Sequence, residues 1–415
     1  MMAESDTDNP DVRRLSDWSE GRLESLAQEY GTPLYVTDLG RVRENYRRFS
    51  AAFPNADVHY AAKANTSRAV LRTLEAEDSS VECASAGEAE RAVAAGFEGE
   101  RVHYTAVNPP AEDLDRAVEL ADEHPGLTIT VGAADTIDRL AERGYDGRLC
   151  LRVNPGVGAG HHEKVRTGAD AKFGVPYKRA AELLESAAND FDVVGIHAHA
   201  GSGISGDDLS NHRELVSRMG ELARSLDIPL EFVDVGGGFG VPYRPDESPL
   251  DLDSVAAATR DALGNIDATL VVEPGRYLVA DAGVLLTRIN TVKETPEITV
   301  LGVDAGMTTL ARPALYDAYH HVRNLSSDAP EIETTIAGPI CESSDTFGEH
   351  TVADPERDDL LAIGNAGAYG YEMASQYNSR PRPAVVVVDG DRSAVAHRRE
   401  TLSDVLATEQ EVNWR

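Results

Sequence analysis

Lys63 stands in the stretch Val58–Asn65, Val-His-Tyr-Ala-Ala-Lys-Ala-Asn, just past a short apolar run. The chain's other lysines are Lys164, Lys172, Lys178 and Lys293, and arginine supplies the remaining positive charge. A desolvated amine can shed its proton and add to a carbonyl as a Schiff base, which a guanidinium cannot do. A lone lysine at a strand end reads equally well as a solvated cap, so its company decides. That company is Glu82-Cys83-Ala84-Ser85, Arg152 with Asn154, the His197–Ser202 run His-Ala-His-Ala-Gly-Ser, the Gly236–Gly240 run Gly-Gly-Gly-Phe-Gly, and Glu273-Pro274-Gly275-Arg276. Singly, each has a plain reading: a tight turn for the glycines, a packed histidine for His199, a strand-end acid for Glu273. Together they offer an amine, a flat ring, a backbone cradle for an anion and a carboxylate.

Stepping outward, every one of these motifs follows an apolar strand. The strands expected are Val58–Ala61, Ser80–Glu82, Val102–Tyr104, Thr128–Val131, Leu149–Val153, Val193–His197, Phe232–Val235 and Leu270–Val272, with amphipathic helices such as Glu88–Ala95, Asp135–Arg143 and Leu209–Ser225 between them. Alternation of this kind predicts an α/β fold, a parallel (β/α)8 TIM-type barrel whose chemistry collects at the carboxyl ends of its strands. Residues 40–281 are assigned to it. The long connection Asn154–Tyr177 is a candidate active-site loop. Beyond Asp281 the texture changes to strands joined by Gly, Pro and Asp turns, without regular helices: Gly283–Val292, Ile298–Val303, Thr334–Ala337 and Ala384–Val388. Residues 282–415 therefore read as a mostly β domain, completed by residues 1–39 with their helix Leu23–Tyr30 and strand Pro33–Val36.

The 415 residues carry a formal charge of −32, from Asp+Glu 71 against Lys+Arg 39. Such a surface repels nucleic acid and anionic lipid, so neither is an expected partner. The acids are spread over helices and 41% of residues are hydrophobic, which argues for a folded chain. Acid excess with arginine in place of lysine resembles proteins of salt-loaded cytoplasms, a halophilic signature. Cys83, Cys150 and Cys341 are too dispersed for a disulfide framework or a zinc site, and no metal is expected. The opening MMAESDTDNPDVRR has no apolar core of a leader, and no run is long enough to span a bilayer. A cytoplasmic protein is the expectation.

The motifs YAAKAN, HAHAGSG, DVGGGFG, EPGR, RPALYDAYH, GPICESSDTFG and GAYGYEMASQYNSRPRP, in this order from Tyr35 to about Pro383, resemble those of the alanine-racemase-fold, pyridoxal-phosphate-dependent decarboxylases. The diaminopimelate decarboxylase branch is the most similar. One departure is Asn108-Pro109-Pro110, where that family places a lysine beside the asparagine. The resemblance implies that Lys63 holds pyridoxal 5'-phosphate covalently, that Ser202, Gly238 and the Gly275–Arg276 backbone hold its phosphate beside Tyr369, and that His199 stacks on its ring. Glu273 would face the pyridine nitrogen and keep it protonated, which suits loss of CO2; amino-acid racemases of this fold have arginine there. Cys341 would be the proton donor, contributed across a homodimer whose active site is shared between subunits. Arg276, Arg312 and Tyr316 match contacts to a distal substrate carboxylate, and Glu342 the contact to its ammonium, with Tyr369 also lining the substrate. Three activities follow as alternatives: decarboxylation of meso-2,6-diaminopimelate to L-lysine, decarboxylation of ornithine or arginine, or a catalytically silent regulatory homologue.

Overall fold

The computed structural model describes residues 12–157, 172–199, 201, 204, 208–412 and 414. They divide into two compact units, one of 42–241 with 248–278, the other of the described residues up to Arg41 with 242–247 and 279 onward.

In the first unit eight parallel strands close a barrel. In chain order they are Ala56–Ala61, Ser80–Cys83, Val102–Tyr104, Thr128–Val131, Arg148–Asn154, Asp192–His197, Phe232–Asp234 and Thr269–Val272. Each pairs with the next, and the last closes on the first through Leu270 opposite Ala56. The expected strands are all present, with ends shifted by a residue or two. Helices such as Ala86–Ala95, Ala134–Glu142 and Ser210–Ser225 bury one apolar stripe each, for example Leu215, Val216, Met219 and Leu222. Ser85 caps the first of these by accepting from the Glu88 N–H at 3.2 Å. Inside the barrel, Cys150, Val194, Phe232 and Val271 form an apolar layer. Gly195 leaves room for the Phe232 ring, since a Cβ would fall 2.5 Å from its Cζ and force the ring to move. Of the long connection after the fifth strand, 158–171 lie outside the described residues, and its end forms a short strand, Val175–Pro176, beside Val153 and Asn154.

The second unit is built on a nine-stranded sheet. Leu34–Asp38 pairs antiparallel with Gly283–Glu294 and parallel with Ala384–Asp389, so the amino-terminal strand sits mid-sheet among carboxy-terminal ones. Successive side chains of a strand point to opposite faces, and two cores result. Leu34, Val36, Val284 and Leu286 join Trp18, Leu23 and Leu26 on one face. Tyr35, Leu285, Leu301 and Ile336 form the other. Strands beyond those expected are Val322–Asn324, Thr346–Ala353, Leu360–Ile363 and Arg392–His397. This unit also has short helices where none were expected, Arg312–Tyr316 and Leu402–Val405. No helix among the described residues is long and apolar enough to cross a membrane.

Candidate active site

Lys63 sits in a single 3-10 turn, Ala62–Ala64, directly after the first barrel strand. Its Nζ donates to Oε2 of Glu82 at 2.6 Å, from a side chain 38% exposed to one only 3% exposed. Burial pushes the Glu82 carboxyl upward, and the ammonium of Lys63 pulls it back. A carboxyl poised in this way can hold or take a proton at Nζ. The small residues around Lys63 are a packing requirement: a Cβ on Gly275 would lie 3.1 Å from Cβ of Ala61.

Backbone hydrogen bonds lace together the carboxyl ends of strands one, six, seven and eight. Ala61 N–H donates to Pro274 O at 3.3 Å, Glu273 N–H to Gly236 O at 3.0 Å, and Ala198 N–H to Asp234 O at 2.9 Å. Ile204 N–H donates to Gly238 O and Gly240 N–H to Ile204 O, each at 3.0 Å. Gly236 and Gly238 have φ of +75° and +102°, and a Cβ would come within 2.5 Å of His199 Nδ1 and of Gly201 O respectively. The triple glycine is thus a close approach of two loops. His199 is half-buried, and its Nδ1 accepts from the Gly237 N–H at 2.9 Å. That bond places the ring proton on Nε2. Burial and the nearby Lys63 push its pKa down to about 3, so the ring is neutral and fixed. Ser202 lies outside the described residues.

Below the mouth, Glu273, His197 and Asp234 are buried with ligand atoms all within 4.8 Å of one another. His197 Nε2 is 3.4 Å from Glu273 Oε2, and Asp234 Oδ1 accepts from the Gly236 N–H at 2.8 Å. Burial works against charge on Glu273, but His197 and Lys63 outweigh it and hold that carboxyl well below the usual range. Asp234 goes the other way, pushed well up by burial and by the charge on Glu273. Asp234 keeps its proton because its neighbour Glu273 stays ionised. Arg152 is buried against the Phe173 ring, 5.0 Å from its centroid, and that burial lowers its pKa against the opposing pull of Glu273 and Glu82. The His59 and His103 ring centroids lie 4.2 Å apart with the planes tilted by 58°, both rings held neutral by burial, His59 with its pKa at about 4.

His59, His103, Asp234 and the pairing of Lys63 with Glu82 were not assigned from the sequence. The tripeptide Val-His-Tyr recurs in the first and third strands, at Val58–Tyr60 and Val102–Tyr104, with each histidine inside. That recurrence was the available signal. Asp234 opens the Asp-Val-Gly-Gly-Gly run and could have been read from it.

Arg276, half-buried, follows Gly275 in the barrel unit, and the remaining assigned residues belong to the β-rich unit. Arg312, the first residue of helix Arg312–Tyr316, is buried, and Tyr316 is half-buried at the other end. The Arg312 Nη1 lies 2.9 Å from both Tyr243 Oη and His320 Nε2. Cys341 and Glu342 stand exposed on a turn. Asn378 Nδ2 contacts the Cys341 Sγ at 3.3 Å, and the Tyr377 hydroxyl donates to Glu342 Oε1 at 2.5 Å. The turn is hooked from beneath by buried Asp345, whose carboxylate accepts the Met307 and Ile340 N–H groups at 2.5 and 2.6 Å. Tyr369 has φ of +55°, a conformation uncommon for a bulky residue, and stands between buried Ala368 and Gly370. Cys83 and Cys150 are buried, with thiols pushed up by that burial.

Barrel and mouth together define a pyridoxal-phosphate enzyme of the decarboxylase class. Residues 39–280 match the family model described as pyridoxal-dependent decarboxylase, pyridoxal binding domain. Diaminopimelate decarboxylase of Methanothermobacter thermautotrophicus is 44% identical, over 92% of each chain. The diaminopimelate decarboxylase of Helicobacter pylori, solved in complex with L-lysine, superposes with a TM-score of 0.86 at 33% identity, covering 93% of this chain and 98% of that one. A lysine/ornithine decarboxylase from Vibrio vulnificus shares the fold at 22% identity, with a TM-score of 0.78 over 91% of this chain and 99% of that one. The chain belongs to the diaminopimelate decarboxylase family.

Proposed function

We propose that this chain decarboxylates meso-2,6-diaminopimelate to L-lysine and CO2, with pyridoxal phosphate as cofactor. The observation that carries the substrate assignment is the buried, doubly held guanidinium of Arg312 in its Arg-Pro-Ala-Leu-Tyr setting, in a chain 44% identical to a diaminopimelate decarboxylase. Diaminopimelate ends in a second amino-acid group, so its far carboxylate needs fixed positive charge, and the planar fork of arginine suits it. Ornithine offers only an ammonium there, which a guanidinium repels.

The barrel mouth fits the cofactor: an amine beside a buried carboxyl, a glycine cradle that any Cβ would fill, a neutral flat ring and an ionised carboxylate. Bound there, pyridoxal phosphate supplies an electron sink for the pair left when CO2 departs. Lys63 would hold it through Nζ, with Glu82 exchanging the proton at that atom. Gly238, Gly275 and the Arg276 backbone would face the phosphate together with Ser202 and Tyr369, and His199 would lie flat on the ring. Glu273, kept charged by His197, would hold a proton on the ring nitrogen. Cys341 would then deliver a proton from Sγ to the substrate carbon, and Arg276, Arg312, Tyr316 and Glu342 would meet the far end of the substrate. The exposure of Cys341 and Glu342 supports a homodimer in which each subunit completes the other's site.

The test is product analysis of the holoenzyme with meso-diaminopimelate, ornithine, arginine and lysine as separate substrates. L-Lysine and CO2 from diaminopimelate, with little or no product from the others, is the expected result. Comparable turnover of ornithine would overturn the substrate assignment, and no turnover of any of them would favour a silent homologue.

A further inference from the structure

Arg312 is gripped on one nitrogen. Its Nη1 carries two hydrogens, and both have an acceptor at 2.9 Å, the Tyr243 Oη and the His320 Nε2. His320 can accept there because its other nitrogen, Nδ1, donates to the Gly364 carbonyl at 2.9 Å, which fixes the tautomer. Both acceptors are neutral, so these two bonds act by orienting the guanidinium. The three side chains also pack on one another. The Arg312 guanidinium carbon lies 4.9 Å from the centre of the Tyr243 ring, and the Tyr243 and His320 rings meet edge-on at 5.2 Å and 81°.

One turn holds both acceptors in place. Gly364 supplies the carbonyl for His320, and its neighbour Asn365, at φ +52°, donates from Nδ2 to the Pro242 carbonyl at 2.8 Å, pinning the residue before Tyr243. Arg312 and His320 are about 8% and 1% exposed, so the bond between them is desolvated, with Tyr243 half-buried beside it.

We propose that Tyr243 and His320 are positioning residues that set the plane and reach of the Arg312 guanidinium, and so determine specificity for a substrate bearing a distal carboxylate. This rests on the reading of Arg312 given under Proposed function. Each of the two acts through its bond to Arg312.

Steady-state kinetics on diaminopimelate with His320→Leu, His320→Gln, Tyr243→Phe and Arg312→Ala, alone and combined, tests it. Losing one hydrogen bond to a charged group is worth about a 10- to 100-fold change. His320→Leu is expected to raise KM by about that factor with kcat within about 3-fold, and Tyr243→Phe to raise KM less. His320→Gln, whose side-chain oxygen can accept in place of Nε2, should recover most of the loss. In the Arg312→Ala background none of these changes should have a further effect on KM. If Arg312→Ala raises KM but His320→Leu and Tyr243→Phe do not, or if they lower only kcat, the positioning role is overturned while the carboxylate reading stands. If Arg312→Ala itself leaves KM unchanged, both fall. Should His320→Leu fail to fold, Tyr243→Phe decides: a raised KM supports the proposal and an unchanged one overturns it.

Discussion

In the barrel unit Glu82, Asp234, Glu273, His59, His103 and His197 are all buried, whereas in the β-rich unit Cys341 and Glu342 stand on an exposed turn. The two regions handle charge differently as a result. Inside the barrel each group's state is set by desolvation and by its neighbours, so that Glu273 stays ionised while Asp234 keeps its proton. On the exposed turn position is what the fold supplies. Asp345 fixes the backbone from below, and Asn378 and Tyr377 orient the thiol and the carboxylate. The first arrangement suits a cofactor that must stay in one electronic state, and the second suits the proton-donor role proposed for Cys341.

The sharpest test of this contrast removes the amine. Lys63→Ala should abolish turnover and the covalent label that borohydride otherwise traps, while folding is retained. A label on another lysine in the wild type would break the barrel assignment. Cys341→Ala should come next, losing about 10²–10⁴-fold in kcat with cofactor still bound, as expected for a missing general acid. If the proposed homodimer shares its sites, mixing this variant with Lys63→Ala should regain part of the activity, because one site of a mixed dimer would keep both groups. No recovery after proven subunit exchange would argue against a shared site.

Burial of the barrel histidines gives a smaller, pH-dependent effect. With its pKa lowered to about 4 from an ordinary 6.5, His59 takes up a proton on unfolding anywhere between those values. Its contribution to stability is complete above pH 6.5 and lost as pH falls through about 4. The wild type should therefore lose stability relative to His59→Gln as pH drops from 6.5 to 4.5. Each pH unit is worth about 1.4 kcal/mol, so the Tm difference between them should shift by roughly 5 °C or more. Parallel melting curves would place His59 outside the buried interior. Salt should matter least to the buried cluster and more to the surface. At −32, self-repulsion is screened within about 3 Å at 1 M salt and only within about 10 Å at 0.1 M. We expect melting temperature and dimer content both to rise with salt; insensitivity to dialysis into low salt would show that the acidic surface carries no such dependence.

What the sequence determined by itself was local. Strand runs such as Thr128–Val131, the turn glycines after Val235 and the arginine opening Arg-Pro-Ala-Leu-Tyr follow from periodicity and backbone preference, which act over a few residues. The strand Thr346–Ala353 escaped that reading because Phe-Gly-Glu-His-Thr-Val mixes polar residues into the alternation and carries Gly348 at φ +94°. The tertiary structure alone decided who partners whom. Lys63 and Glu82 are 19 residues apart, His197 and Glu273 76, and Arg312 and Tyr243 69. Such pairs exist only once the barrel closes and the sheet folds over its cores. Their charge states come from water excluded by those same closures, and no stretch of sequence carries that information locally.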